Sequence, residues 1–326
     1  MSIANMYFEV GDQNLLVDGY ISRVPQDAFH GGGGGLANTS RAFKPDVAAV
    51  KQVLNALGGR SSIDLLLTGH SHFDHSFDTA TWSELTGAPI VGAPTTCYQV
   101  QAEGVDPSQC TPVYGEETIA VSDSLTMYVI RWNHSGDPEK NPEQHNPIEL
   151  TSVPQPDPQT GGLRPGVAED FPNGGGNRAY LFVLDGAQGR LSWFFHDSAS
   201  AIDLHVPIIV TGKNYGAPLD NLKRAMHEAK LDGVDLWIGT GGAPIAELVL
   251  PILKPKAHVP VHWDGLWNPF LAGVTQPYSD PALEKLLASS GVNLLAPRQY
   301  MDKWRLDANG TRAISNEAIQ KQLGFR

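Results

Sequence analysis

His70, His72, Asp74 and His75 place four metal-capable side chains within six residues. Imidazole nitrogen and carboxylate oxygen together suit Zn²⁺, with manganese or iron as alternatives. They follow Ile63, Leu65, Leu66 and Leu67, an apolar run with the pattern of a strand buried on both faces, which Thr68 and Gly69 end. His70 and His72 stand two apart on extended backbone and can point the same way. Asp74 and His75 arrive as the chain turns and face a second point nearby. One tight turn then supplies part of two metal sites. A polar loop that happens to be rich in histidine is the competing reading, and four ligand residues at this spacing weigh against it.

The HSHFDH stretch matches the signature HxHxDH, and here the chain resembles the metallo-β-lactamase superfamily, over nearly its whole length. That resemblance implies the remaining ligands. His134 ends a strand read over 124–132 and runs into a small-residue turn, repeating the first strand-end placement; it becomes the third ligand of the first metal beside His70 and His72. His262 becomes the last ligand of the second metal, with Asp74 and His75. Asp197, at the end of a strand over 190–196, matches the aspartate whose carboxylate holds both ions. The family more often has a glycine before that aspartate. This chain has His196, which either supports the site from behind or is a polar strand end. Asp18 resembles a residue supporting the metal turn, or it simply starts a turn.

Filled this way, the site implies two divalent ions, Zn²⁺ first, and a metal-dependent hydrolase. Neutral histidines and two carboxylates leave the ion pair net positive, so a shared water ionises near neutral pH and its hydroxide attacks the substrate. Asp74 orients that oxygen and passes a proton to the leaving atom. No serine or cysteine nucleophile is needed, and no GxSxG elbow is present. The HSGD and PVHWDG stretches resemble the lactonase-like branch. A lactone, β-lactam or other ester or amide is preferred to a phosphodiester, because no Arg/Lys cluster lies near the ligands; Arg131 and Lys213 are the nearest in sequence. An iron-dependent oxidoreductase of the same fold is the other alternative, although its di-iron forms tend to carry Glu where His72 stands. Trp132, Trp263, Trp267, Phe270 and Tyr215 either line an apolar pocket at the metals or pack in the core. His30, before the glycine run 31–35, is a candidate substrate contact.

The elements that must position these residues read as alternating strands and helices. Strands are expected at 5–10 and 14–18 as a hairpin, then at 89–91, 179–185, 208–210, 234–238, 257–262 and 292–295, with helices at 45–57, 79–85, 219–230, 245–253 and 281–290. This suits an α/β fold, the αββα sandwich of two mixed sheets with helices on both outer faces. We read 1–326 as a single domain. Residues 138–177 (PEKNPEQHNP to FPNGGG) have no period and form an irregular insertion, a lid or an oligomer-contact loop. His145, inside it, is not read as a ligand. The tail from 308 is expected to be peripheral.

The net charge of -12 argues against a nucleic-acid partner, since such binding needs a basic surface. No apolar run approaches a membrane span, leaving a small-molecule substrate and a possible homo-oligomer. Cys97 and Cys110 bracket a short loop and are either bridged or free. The strand that begins almost at Met1 suggests that a leader and one further strand precede it. Together these favour an exported protein slightly over a cytoplasmic one.

Overall fold

The computed structural model describes residues 3–32, 34–187 and 189–325; Met1, Ser2, Gly33, Gln188 and Arg326 lie outside them. Two mixed sheets face each other. The first orders β1 (Met6–Val10), β2 (Gln13–Val17), β3 (Leu65–Leu67), β4 (Ile90–Gly92) and β5 (Cys110–Pro112), with only the β1–β2 hairpin antiparallel. The second contains β6 (Thr118–Ala120), β7 (Leu125–Trp132), β8 (Asn177–Gly186), β9 (Gly189–His196), β10 (Leu236–Gly239), β11 (Ala257–Pro260) and β12 (Asn293–Leu294), in the order 12-11-10-9-8-7-6. Strands β6 to β9 pair antiparallel and β9 to β12 parallel.

Alternation along each strand divides the apolar residues between three layers. Leu15, Val17 and Leu67 face Met127, Val129, Tyr180, Phe182, Trp193 and Phe195 between the sheets. Their neighbours Leu16 and Leu66 turn outward onto α1 (Val47–Leu57) and α3 (Thr79–Thr86), where Val50, Val53, Leu54 and Trp82 wait. On the other side Leu181, Val183, Phe194 and Trp237 meet α6 (Pro218–Glu228), α7 (Ala243–Leu253) and α8 (Pro281–Ser289) through Leu222, Val249 and Leu283. Helix α1 shows the local logic. Asp46 accepts from the Ala48 and Ala49 amides at its start, and Gly58 stops it in the left-handed region, at φ 115°. The αββα architecture is therefore the one expected. Among the described residues no helix is long and apolar enough to cross a membrane.

Three features differ from expectation or extend it. Helix α4 (Pro94–Ala102) was not legible, because its buried face is polar: Thr95, Thr96 and Gln99 are buried beside Cys97 and Val100. The tail is not peripheral. It forms a hairpin, β13 (Lys303–Asp307) and β14 (Gly310–Ile314), and a short helix, α9 (Glu317–Gln322), and it buries Leu323 and Phe325 against the first sheet's helical layer. The 138–177 segment holds one short helix, α5 (Pro142–His145), yet it is well anchored: Phe43 and Leu163 exchange backbone hydrogen bonds, and the Val167 and Ala168 amides donate to Leu36 and Ala37.

Cys97 and Cys110 are bridged, Cα to Cα 5.5 Å, which ties α4 to the edge strand β5. Cutting the bridge by Cys110→Ser should cost roughly 3 kcal/mol by the loop-closure estimate. It should appear as a lower denaturant midpoint. An unchanged midpoint would show the bridge to be dispensable.

Candidate metal centre

All seven proposed ligands sit at strand ends or in the turn after β3, along one edge of the sandwich. His70 and His72 follow β3, and α2 (Phe73–Ser76) carries Asp74 and His75. His134 follows β7, Asp197 follows β9 and His262 follows β11. The fold brings their donor atoms together in three overlapping groups, each with its atoms within 4.8 Å of one another: His70, His72 and His134; Asp74, His75 and His262; and His70, His75 and Asp197.

The hydrogen bonds show which edges of the rings meet. His70 Nε2 lies 3.2 Å from His72 Nδ1, and His134 is turned by its Nδ1 contact with the Ser135 carbonyl at 2.7 Å. In the other set, Asp74 Oδ2 lies 3.2 Å from His75 Nε2 and 3.0 Å from His262 Nε2. Asp197 touches one ring of each set: its Oδ2 is 2.7 Å from His70 Nδ1 and 3.2 Å from His75 Nδ1. It therefore links the two sets along their Nδ1 edges, while Asn177 Nδ2 donates to its other oxygen at 2.9 Å. Gly69 makes room for that carboxylate, since a Cβ there would lie 2.0 Å from Asp197 Oδ2.

Asp18 supports the turn from below, as the resemblance implied. Its Oδ1 accepts from the Gly69 amide at 2.9 Å and its Oδ2 holds His75 Nδ1 at 2.9 Å. Its backbone is left-handed, φ 62°, a conformation an aspartate tolerates better than most residues. Burial pushes its carboxyl up to about 6, against the pull of His75.

Electrostatics differ between the two sets. Burial, reinforced by neighbouring imidazoles, holds His70, His72 and His134 well below the usual histidine range, so all three present neutral rings. Burial also lowers His75, but Asp74, Asp18 and Asp197 outweigh it and raise it well above that range. Burial raises Asp74 in turn, and His75 and His262 more than reverse this. The three neutral imidazoles offer free lone pairs to a divalent cation, and His75, protonated among its carboxylates, would release its proton as an ion binds. The residues present fit such ions.

Other sequence candidates fall elsewhere. His196 is buried among Trp132, Phe194 and Trp237, its Nδ1 3.1 Å from the Ser198 carbonyl, and burial lowers it to about 4. Trp132 is core, Phe270 stacks on Tyr300, and Tyr215 lies under the Arg131 guanidinium. Only Trp267 and Trp263 stay close to the site: Trp267 packs on Phe73 of the metal turn, and Trp263 follows His262 and helps line a cavity of about 490 Å³ that His262 also borders. His30 is exposed.

Sequence reasoning missed Asn177 and Gln99. Gln99 of α4 donates to the carbonyl of Ser71, the residue between His70 and His72, at 2.9 Å. Neither stands in a ligand-like pattern, so no signal pointed to them.

Four separated loops thus converge on two three-donor sets joined by one aspartate at the edge of an αββα sandwich. Over part of its length the chain is similar in sequence to metal-dependent hydrolases. A curated relative, a UPF0173 metal-dependent hydrolase of Pyrobaculum islandicum, is 34% identical over 70 residues, which is 22% of this chain and 31% of that protein. Its counterpart from Pyrobaculum arsenaticum is 32% identical over 82 residues, 25% of this chain and 34% of its own length. The chain spans about a third of the length of the curated relatives it matches. Among solved structures, the metallo hydrolase Igni18 of Ignicoccus hospitalis is 11% identical, with 96% of each chain covered and a TM-score of 0.48. The metallo-β-lactamase fold protein YhfI of Bacillus subtilis is 11% identical over 91% of this chain and 90% of its own, with a TM-score of 0.45. No protein-family model matches.

Proposed function

We propose that the chain is a metal-dependent hydrolase that opens a lactone, β-lactam or other ester or amide bond, with two zinc ions as its cofactor. One observation carries this reading: three buried imidazoles meet at one point, Asp74, His75 and His262 meet at a second, and Asp197 contacts both sets. Histidine nitrogen with carboxylate oxygen is a donor set suited to zinc. His70, His72 and His134 would hold one ion, and Asp74, His75 and His262 the other, with the charge of Asp197 shared between them. When bound, such a pair supplies Lewis acidity, polarising the scissile carbonyl and turning water into a nucleophile near neutral pH.

The chain's own groups do the rest. Asp74 is ionised and buried, so it can hold a proton at Oδ2 and return it to the leaving atom. Asp18 and Asp197 fix the His75 ring from two directions at its Nδ1 edge. Phosphate esters fit less well, because the arginines nearest the ligands are turned into the fold: Arg131 is fully buried, with Nη1 on the Tyr114 carbonyl and its guanidinium over Tyr215, and Arg178 donates to the carbonyls of Val113, Gly174 and Gly176. An exported protein is our reading of the bridged cysteines, which persist in oxidising compartments.

A hydrolysis screen over lactones, β-lactams, aryl esters and phosphodiesters, run with and without chelator, tests this. We expect turnover of an ester, lactone or amide that chelator abolishes and zinc restores. Turnover insensitive to chelator would contradict it, as would iron with visible absorbance in the isolated protein.

A further inference from the structure

Residues 138–177 touch the neighbours of all three members of the first ligand set. At its far end, the segment's Asp170 carbonyl accepts from Gln99 Nε2, the same amide that holds the Ser71 carbonyl between His70 and His72. The Leu150 amide donates to Thr95 Oγ1 of the same helix. At its near end His145 is buried, with its ring centroid 6.4 Å from that of His134. What holds His145 there is Asp203, in the loop that follows Asp197.

The Asp203 carboxylate is used at both oxygens. His145 Nε2 donates to Oδ2 at 2.5 Å, and Asn133 Nδ2 donates to Oδ1 at 2.5 Å. Asn133 immediately precedes His134 and is held a second time, by the Ser200 carbonyl at 2.8 Å. Ser135, immediately after His134, donates its amide to Ser198 Oγ at 2.7 Å. The loop 198–203 therefore grips His134 from both sides in the chain. Asp203, within this grip, also reaches the insertion through His145.

We propose that Asp203 is a positioning residue that makes the 138–177 segment part of the support of the first metal, acting on His134 through Asn133 and His145. This rests on the reading that His70, His72 and His134 hold an ion. A charged acceptor shared by two donors is worth more than either bond alone, and its removal takes one of the two partners of the Asn133 amide and the partner of the buried His145 Nε2. Partners one step removed from a metal typically set its affinity by about ten- to a hundredfold. The insertion, on this view, is not a cover added to a finished site. It completes one half of it.

The test uses the full chain loaded with zinc, comparing wild type, Asp203→Ala, Asp203→Asn, His145→Ala and the double variant Asp203→Ala/His145→Ala. Chelator competition reads the affinity of each ion, and limited proteolysis reads the accessibility of 138–177. Asp203→Ala should weaken one ion about ten- to a hundredfold, leave the other within about twofold, and speed cleavage inside the insertion. Asp203→Asn, which keeps an acceptor for one of the two donors, should recover part of both. His145→Ala should add little on top of Asp203→Ala, because both act through one carboxylate. Unchanged affinities in a folded Asp203→Ala protein would overturn the proposal, as would equal weakening of both ions or additive losses in the double variant. Should Asp203→Ala not fold, Asp203→Asn and His145→Ala carry the same readouts. A wild-type chain that binds no zinc would instead defeat the metal-site reading, and a proteolysis pattern insensitive to Asp203 would separately defeat the link.

Discussion

Replacing His72 or Asp74 by alanine is expected to lower turnover by about a hundred- to a thousandfold, the scale on which removing one charge-stabilising group acts, while the protein stays folded. The two residues break different halves of the site. His72 is one of three rings packed together, with centroids 4.7 Å from His70 and 4.6 Å from His134, and its loss leaves two donors where three converge. Asp74 is the carboxylate that draws His75 and His262 together, and its loss leaves two imidazoles facing each other with their anion gone. Steady-state rates, circular dichroism and metal content on the same samples separate lost chemistry from lost fold. Unchanged rates on any substrate the wild type hydrolyses would remove both residues from the mechanism.

The second large effect is on stability. A ligand that binds only the native chain stabilises it by about 4 kcal/mol at a free concentration a thousand times its dissociation constant, so stripping two zinc ions should lower the melting temperature markedly. The metal-free protein should also become acid-sensitive. Three histidines whose folded values lie below the ordinary 6.5 bind protons more readily when unfolded, so their contribution is present above that pH and is lost as the pH falls below it. His75, raised by its carboxylates, has the opposite sign and loses its contribution as pH rises. Burial lowers His196 and His258 with the same sign as these three, whereas Asp18, Asp78 and Glu103, raised by burial, act with His75. The five lowered histidines outweigh the four, and the net trend between pH 7 and 5 should be downward. Thermal melts of metal-free protein across that range check it; a flat or rising midpoint would count against the described charge pattern.

Much of this was legible in the sequence for identifiable reasons. Strands β2 and β3 carry apolar residues that must face both layers, and runs such as NLLVD and LLL show it. Helix α1 has its apolar face, its Asp46 cap and its Gly58 stop written out. The four ligands in the turn were visible as a cluster, whereas His134, Asp197 and His262 became visible only through the family resemblance, since a single strand-end residue has no local signature. What stayed hidden depends on contacts between distant segments. Helix α4 hides its role because its buried face carries Thr96 and Gln99 to the metal turn rather than a hydrophobic stripe. The tail looks polar, yet Leu323 and Phe325 close the outer layer with Phe270. No spacing could show that Asp197 meets His70 and His75 on their Nδ1 edges, or that Asp203 joins Asn133 to His145.

The most direct test is to count the metal. Protein purified without chelator, dialysed against trace zinc and weighed by native mass spectrometry alongside elemental analysis should carry two ions per chain, falling when His72 or Asp74 is replaced. A folded wild-type chain that takes up no divalent cation at any pH near neutral would contradict the reading of these seven residues as a dinuclear centre.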